Sequence, residues 1–123
     1  MKLIKRDVTF IHRLTPDAAL KGACLLLPGA LHVLPELEEL PKELLPVLPA
    51  IILCQACDDY LERLLNQRGV TVTVARDPVD SIADGAEVSV DLTAGSLAEL
   101  SSGRRFALKP LKPAHLAEIA KHG

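Results

Sequence analysis

The chain is 123 residues long, 49% hydrophobic and carries a formal net charge of −2. This length and this hydrophobic content indicate one globular domain with a real core, and they exclude a disordered chain. The near-neutral charge gives no basic surface for phosphates, and Phe10, Tyr60 and Phe106 are too few aromatic residues to stack bases. We therefore expect no nucleic acid partner.

The sequence also argues against secretion and membrane insertion. Residues 1–7 contain no apolar signal core, and prolines interrupt the most hydrophobic region well before it reaches a membrane-spanning length. Three cysteines are an odd number and do not make a disulfide framework. We expect a cytoplasmic protein without a membrane partner, in a compartment that keeps thiols reduced.

The first half of the chain predicts two strands and several turns. Residues 7–14 are β-prone and predict a strand, and the turn chemistry of residues 15–22 predicts a turn or a single helical turn. The apolar run at 24–29 predicts a buried strand closed by a Pro-Gly turn. In residues 30–49, repeated Leu-Pro pairs predict one or two short helices that begin at prolines.

A strand–helix–strand unit follows. The apolar run at 50–54 predicts a second buried strand, and residues 58–69 predict a helix with a leucine face that ends at Gly69 as a left-handed C-cap. The alternating residues 70–75 predict a third strand, parallel to the second.

The C-terminal region predicts a β-hairpin and a helix. Apolar and polar residues alternate at 88–92 and again at 106–108, and a turn-rich connection separates the two runs. Residues 113–123 predict a short helix with one apolar stripe, which needs the hairpin to pack against because it is too short to be stable alone.

This C-terminal region resembles a known family. The residues that carry the resemblance are Asp-Gly-Ala-Glu-Val-Ser-Val-Asp at 84–91, Thr-Ala-Gly-Ser-Leu at 93–97, Gly-Arg-Arg-Phe at 103–106, Lys-Pro-Leu-Lys-Pro at 109–113 and the helix at 114–123. Together they resemble the end of the swivelling domain of the aconitase superfamily, in particular the small subunit of 3-isopropylmalate dehydratase. The spacing of Leu25, Ile52 and Gly69 extends the resemblance over residues 22–123. It implies a layered β/β/α swivelling-type α/β fold, and we expect residues 1–123 to form a single domain.

The family's reaction loop has no counterpart in this sequence. In the family, the loop after the first buried strand carries a Gly-x-Gly-Ser-Ser-Arg-Glu motif, whose serine and arginine serve proton transfer and carboxylate recognition. Residues 30–43 here contain no serine, arginine or glycine. A bidentate carboxylate clamp needs arginine, and a close backbone approach needs glycine. No catalytic residue can be assigned, and we do not expect catalysis by this chain alone.

The resemblance implies a minimal or degenerate small subunit that partners a large hydro-lyase subunit. The reaction would be the dehydration and rehydration of a hydroxy-dicarboxylate, with an iron–sulfur cluster held by the other chain and no cofactor bound by this one. A different hypothesis is a non-catalytic module that self-associates as a homo-oligomer. Leu37, Leu40 and Leu44 share a predicted helical face, which either covers the core or forms the docking surface for such a partner.

The motif Cys54-Gln-Ala-Cys57 gives a third hypothesis, a thiol redox or metal protein. The motif follows a buried strand and opens the predicted helix, where the helix dipole lowers a thiol pKa. His32 follows the other buried strand, so His32, Cys54 and Cys57 form a candidate three-ligand metal site. The alternative is that Cys54 is simply buried and Cys57 is an idle thiol.

Overall fold

The structure is a computed structural model that describes residues 1–33, 39–75, 77 and 79–109. Its strands are β1 (Leu3–Lys5), β2 (Cys24–Leu26), β3 (Ala30–Leu31), β4 (Ile51–Leu53), β5 (Ala56–Cys57), β6 (Thr71–Thr73), β7 (Val88–Asp91), β8 (Ser96–Glu99) and β9 (Arg105–Ala107). Its helices are α1 (Asp59–Gln67) and the 3₁₀ helices Ile11–Arg13, Ala18–Leu20 and Lys42–Val47. In these ranges no helix is long and apolar enough to cross a membrane.

The centre of the fold is a parallel sheet with strand order β1-β2-β4-β6. Leu25 of β2 lies opposite Ile52 of β4, and Ile52 lies opposite Val72 of β6. Successive side chains of a strand point to opposite faces of the sheet, and β1, β2 and β4 each supply apolar side chains to both faces. This explains why the sequence of β2 and β4 is wholly apolar rather than alternating.

One face of the parallel sheet is covered by α1 and by the 3₁₀ helix Lys42–Val47. Leu25 and Ile52 of the sheet belong to a core cluster with Leu61 and Leu65 of α1. All four of these side chains are completely buried. The predicted leucine face of the helix is therefore the face that packs on the sheet.

The opposite face is covered by an antiparallel meander of β7, β8 and β9. Leu3, Ile51 and Leu53 from the sheet form a second core cluster with Leu97 and Phe106 of the meander. The molecule thus has a helical layer, a parallel sheet and an antiparallel sheet. The predicted layered β/β/α architecture is confirmed.

Backbone hydrogen bonds join the meander side to both edges of the parallel sheet. At the β1 edge the Leu3 N–H donates to the Ala86 carbonyl at 2.8 Å, and at the β6 edge the Lys109 N–H donates to the Val74 carbonyl at 2.8 Å. Backbone groups that an open sheet would expose at its edges are satisfied in this way.

The strand–helix–strand prediction for residues 50–75 is confirmed. β4 and β6 are parallel neighbours, and α1 connects them with Asp58 as its N-cap residue. Gly69 follows the helix with a φ of 81°, a left-handed conformation that glycine adopts without a steric penalty.

The strand predicted over residues 7–14 is wrong. The first strand, β1, lies at Leu3–Lys5 and pairs with β2, whereas Ile11–Arg13 form a 3₁₀ turn. The buried residues of β1 are Leu3 and Ile4, an apolar pair with a lysine on either side. Ile4 points to the core cluster on the α1 side, and Leu3 points to the cluster on the meander side. So short a pair gives no periodic pattern, and the longer β-prone run at 7–14 hid it.

The hairpin predicted from residues 88–92 and 106–108 has the wrong pairing. β8 lies between β7 and β9 and pairs antiparallel with both. The inward residues of β8 are Leu97 and Glu99, and Glu99 is only 6% exposed. Its carboxylate accepts two hydrogen bonds from the Arg104 guanidinium, which makes the burial of a charged group tolerable. Because a charged residue occupies an inward position of β8, apolar and polar residues do not alternate clearly there, and the sequence pattern did not indicate this strand.

The predictions for residues 30–49 and for the C-terminus have separate outcomes. The 3₁₀ helix Lys42–Val47 begins directly after Pro41, as predicted for this proline-rich segment. The final helix predicted at residues 113–123 lies outside the described residues, and so does Leu37 of the predicted leucine face.

The other two leucines of that face lie in the core. Leu40 is 7% and Leu44 is 1% exposed, and both belong to the cluster on the α1 side of the sheet. Of the two interpretations of these residues, core cover is the one that the structure adopts for Leu40 and Leu44. A docking surface that used them would first have to remove them from the core.

Replacement of Leu44 by alanine should lower the free energy of unfolding by about 2–5 kcal/mol, because it leaves a cavity in a filled core. Urea unfolding followed by circular dichroism measures the change. The matched control is Leu100→Ala, at a leucine that is 59% exposed. The control should change the free energy by less than about 0.5 kcal/mol. An equal effect of the two substitutions would contradict the core position of Leu44 and restore the docking interpretation.

Candidate functional site

The four parallel strands all end on the same side of the sheet, which we call its carboxyl edge to distinguish it from the lateral edges at β1 and β6. Open α/β sheets bind ligands at this carboxyl edge. β1 ends at Lys5 and is followed by Arg6, and β2 ends at Leu26 shortly before Pro28. β4 is followed directly by Cys54. Two neighbouring clefts lie at this edge.

The wider cleft has a volume of about 310 Å³ and is lined by Lys5, Arg6, Asp7, Leu26, Pro28 and Asp80. Its two cations are held by backbone oxygens: Lys5 Nζ donates to the Asp80 carbonyl at 2.7 Å, and Arg6 Nη1 donates to the Lys5 carbonyl at 2.8 Å. Arg6 also forms a 3.3 Å ion pair with Asp17. The cleft thus presents a lysine and an arginine in fixed positions beside the carboxylates of Asp7 and Asp80, so its lining carries charges of both signs.

The narrower cleft has a volume of about 140 Å³, and Leu26, Pro28 and Asp80 line it as well as the wider one. Cys54 also lines it. The Asp77 carboxylate, another lining group, accepts a 2.7 Å hydrogen bond from the Ala107 N–H and thereby holds β9 in place. The Asp77 carboxylate therefore has a structural role in the fold.

A histidine–carboxylate pair joins the segments that follow β3 and β5. His32 Nδ1 lies 2.9 Å from Asp58 Oδ1, and Asp58 Oδ2 accepts a 3.1 Å hydrogen bond from the Val33 N–H. The bond to His32 is the main reason why the pKa of Asp58 lies below its usual range. A carboxylate on Nδ1 orients an imidazole for proton transfer at Nε2.

Sequence reasoning missed this pair. His32 and Asp58 are 26 positions apart and belong to no motif. They meet because the two-residue strands β3 and β5 pair in parallel, with Leu31 opposite Cys57. No periodic pattern of two residues could have indicated that pairing.

Cys54 is buried and Cys57 is half-buried, and the Cys57 thiol donates a 3.6 Å hydrogen bond to the Asp58 carbonyl. The interaction between the two neighbouring thiols lowers the pKa of Cys54 and, together with burial and the nearby carboxylates of Glu62 and Asp58, raises the pKa of Cys57. The pair therefore holds its first negative charge on the inner sulfur.

The placement of this motif differs from the prediction. Cys57 lies in β5, and α1 begins only at Asp59, so the motif does not open the helix and the dipole argument does not apply to it. The predicted ligand set of His32, Cys54 and Cys57 does not form a group that could hold a metal ion, and Nδ1 of His32 is bonded to Asp58. Within the part of the chain that the structure describes, no group of three or more His, Cys, Asp or Glu residues could hold a metal ion.

The segment after β2 is where the resembling family carries its reaction motif. Here it runs through Pro28 and Gly29 directly into β3. Residues 27–33 contain His32 as their one titratable side chain and no hydroxyl or guanidinium group. The groups of the family's motif are therefore missing at the place where the fold would put them.

Replacement of Asp58 by asparagine should make stability less dependent on pH. The folded state holds the Asp58 pKa below its unfolded value, so the stabilisation is present above the ordinary carboxyl pKa of about 4 and is lost as pH falls through the folded-state pKa. The control is Asp59→Asn, the same charge change at the neighbouring exposed residue. Urea unfolding at several pH values should show Asp58→Asn less stable than Asp59→Asn at neutral pH, with a difference that shrinks on acidification. Equal curves for the two variants would contradict the bond.

Comparison with known proteins shows a likeness in fold but no match in sequence. No protein-family model and no curated protein sequence matches this chain. The crystal structure of 3-isopropylmalate dehydratase (LeuD) from Methanocaldococcus jannaschii matches 99% of this chain and 87% of its own, with a TM-score of 0.66 and 12% sequence identity. At this identity the likeness is one of fold. The chain therefore has the swivelling-type α/β fold of 3-isopropylmalate dehydratase, as its C-terminal residues predict.

Proposed function

We propose that this chain is an accessory small subunit of an iron–sulfur hydro-lyase. The observation that carries the proposal is the likeness in fold to 3-isopropylmalate dehydratase over 99% of the chain. In the family that the sequence resembles, a small subunit of this kind works against a large subunit that holds the cluster. The reaction class is the dehydration and rehydration of a hydroxy-dicarboxylate.

The residues of this chain do not suit an iron–sulfur cluster of its own. Cys24 belongs to the core cluster on the meander side of the sheet, whereas Cys54 and Cys57 belong to or pack against the cluster on the α1 side. Cluster ligation needs several thiolates around one site. The cluster in this proposal is bound by the large subunit, and this chain contributes no ligand.

The contribution of this chain is to bind substrate, and its groups are those of the wider cleft. Arg6 and Lys5 reach that cleft from the end of β1, and Lys5 lies opposite Leu26 of β2 in the sheet. The family's motif places its arginine in the loop after the first buried strand, which here is β2. Arg6 therefore supplies a guanidinium from the neighbouring strand to the same edge of the sheet.

The self-association hypothesis receives less support. It depends on a leucine face at Leu37, Leu40 and Leu44, and the last two are core residues. With these two side chains packed on the sheet, the described residues offer no comparable apolar face in this segment.

Co-expression with an iron–sulfur hydro-lyase large subunit from the same organism tests the proposal. We expect the two chains to co-elute on size exclusion and dehydratase activity on a hydroxy-dicarboxylate to appear only in the complex. Absorbance of the unsaturated product measures the activity, and each chain alone is the control. If the large subunit is equally active without this chain, or does not bind it, the proposal is wrong.

Replacement of Arg6 by glutamine in that complex should raise KM for the hydroxy-dicarboxylate by about tenfold to a hundredfold, the effect of one lost charge-assisted hydrogen bond. Arg13→Gln is the matched control, because Arg13 is exposed and does not line the cleft. Thermal unfolding of both variants checks that the loss of the Asp17 ion pair leaves the fold intact. An unchanged KM in Arg6→Gln would exclude Arg6 as a carboxylate ligand.

A further inference from the structure

The backbone and the ring of His32 are both held in place. The His32 N–H donates to the Thr9 carbonyl at 2.7 Å, and the Ile11 N–H donates to the His32 carbonyl at 3.0 Å. The Phe10 ring lies beside the imidazole, with 6.0 Å between the two ring centroids. The 2.9 Å contact between Nδ1 and the Asp58 carboxylate then fixes the orientation of the ring. Fixed orientation of this kind is what proton transfer to a bound substrate requires.

The other ring nitrogen, Nε2, has no partner among the described residues. The His32 side chain is 41% exposed, and the hydrogen bonds between described residues use only its Nδ1. Because the pKa of Asp58 lies below its usual range, this carboxyl is ionised at neutral pH and can only accept a hydrogen bond. It therefore selects the imidazole tautomer with the proton on Nδ1. Neutral His32 then presents an unprotonated Nε2, the form that accepts a proton.

The pair of His32 and Asp58 lies beyond the carboxyl edge, on segments that continue the parallel strands. β3 and β5 follow β2 and β4 along the chain and pair in the same parallel direction. Phe10, which comes after β1, forms a parallel bridge with His32. The segments after β1, β2 and β4 therefore meet again in the order of the sheet. Pro28, which lines both clefts, comes shortly before His32 in the same segment.

The side chain of His32 points away from the helical layer. Leu31 belongs to the core cluster on the α1 side, and Val33 packs against that cluster. Side chains alternate along an extended segment, so His32, between these two residues, points to the opposite side. Lys5 of the wider cleft lies on that side as well, because its neighbour Ile4 belongs to the cluster on the α1 side. The imidazole and the cleft thus share the side of the molecule that is turned away from α1.

We propose that His32 is the proton-transfer residue of the hydro-lyase complex and that Asp58 is its positioning residue. This inference rests on the proposed function and adds to it the group that acts on a carbon-bound hydrogen of the hydroxy-dicarboxylate. Residues 27–33 contain no other titratable side chain, so the segment after β2 offers this group alone for proton transfer.

The reaction moves one proton in each direction. In dehydration, Nε2 accepts the proton from the carbon next to the one that carries the hydroxyl group. The electron pair of the broken C–H bond becomes the second bond of the new C=C double bond, and the C–O bond breaks with its electrons on the departing hydroxide. The hydroxide and the proton from Nε2 combine as water, so atoms and charges balance. In rehydration, water is divided in the same way and Nε2 returns the proton to the carbon.

Asp58 acts through His32 and does not touch the substrate. Its carboxylate keeps the proton on Nδ1, and its negative charge stabilises the imidazolium that forms when Nε2 takes up a proton. The Val33 N–H donates to its second oxygen at 3.1 Å, so the carboxylate is itself fixed in orientation.

The test compares His32→Asn with the wild type in the co-expressed complex with the large subunit. The amide nitrogen of asparagine takes about the place of Nδ1, so this variant keeps a donor for Asp58 and has no group at the position of Nε2. We expect kcat for dehydration to fall about 100-fold or more, the usual effect of a lost general base, while KM changes less than about twofold. An unchanged kcat would overturn the proposal.

His12→Asn is the matched control. His12 Nε2 lies 3.2 Å from the Glu39 carbonyl oxygen, and its Nδ1 is buried, so His12 offers no nitrogen to a substrate. This variant should keep the kcat of the wild type. An equal loss of kcat in the two histidine variants would contradict a specific role for His32.

Two substitutions of Asp58 separate positioning from folding. Asp58→Asn should lower kcat about tenfold or more with little change in KM, because the imidazolium loses its counter-charge. Asp58→Glu, which restores a carboxylate, should recover part of the lost kcat. If Asp58→Asn keeps the full kcat, or if both variants lose only their binding to the large subunit, Asp58 is not a positioning residue.

Chemical modification of the wild-type complex gives an answer that needs no substitution. Diethyl pyrocarbonate should carbethoxylate His32, as located by peptide mass mapping, and dehydration should stop in proportion. Substrate should protect His32, and hydroxylamine should restore the activity. Full activity after complete modification of His32 would overturn this proposal and leave the hydro-lyase proposal standing, whereas a complex without any dehydratase activity would overturn both.

Discussion

The pairing of β2 with β4 is the constraint on which the rest of the structure depends. Both strands lie inside the parallel sheet and are covered on both faces, so each residue must suit one of two cores. Ile52 points to the helical side, and its neighbours Ile51 and Leu53 point to the meander side. A one-residue shift of either strand would exchange the two sets, so the register is strongly specified. The two inner strands therefore consist of buried or half-buried apolar residues and cysteine, and polar groups lie beyond the ends of these strands or on the outer strands β1 and β6.

The carboxyl edge shows the consequence. The chain changes from buried apolar residues to Lys5 and Arg6 at the end of β1, and to a buried thiol, Cys54, directly after β4. The cations keep their positions through backbone carbonyls and one carboxylate, so they are oriented before any ligand arrives. Preorientation of this kind lowers the entropy lost on binding. Both clefts depend on the strand ends being fixed by the two cores behind them.

The sequence predicted those parts of the fold in which the buried residues form a recognisable run or a regular spacing. The apolar runs of β2 and β4 and the leucine face of α1 are long enough to identify, and the layered architecture follows from them together with the C-terminal resemblance. β1 and β8 were not predicted. The apolar part of β1 is only a pair of residues, and β8 places Glu99 inward with Arg104 as its partner. The candidate site was harder still. The bond between His32 and Asp58 depends on the pairing of two-residue strands, and such pairing follows from tertiary packing rather than from local preference.

The missing reaction motif and the cations of β1 have a common physical explanation. A glycine-rich loop lets the backbone approach a ligand closely, and residues 30–43 contain no glycine. With β3 instead paired to β5, the segment after β2 is held in a ladder and cannot wrap a substrate. Under the proposed function, recognition of an anion at this edge would have to come from side chains long enough to reach it from a neighbouring strand. Arginine and lysine at the end of β1 meet that requirement, whereas serine at the same position would not reach. In that proposal, the absence of a close-approach loop and the presence of long cations on the adjacent strand are two aspects of one binding edge.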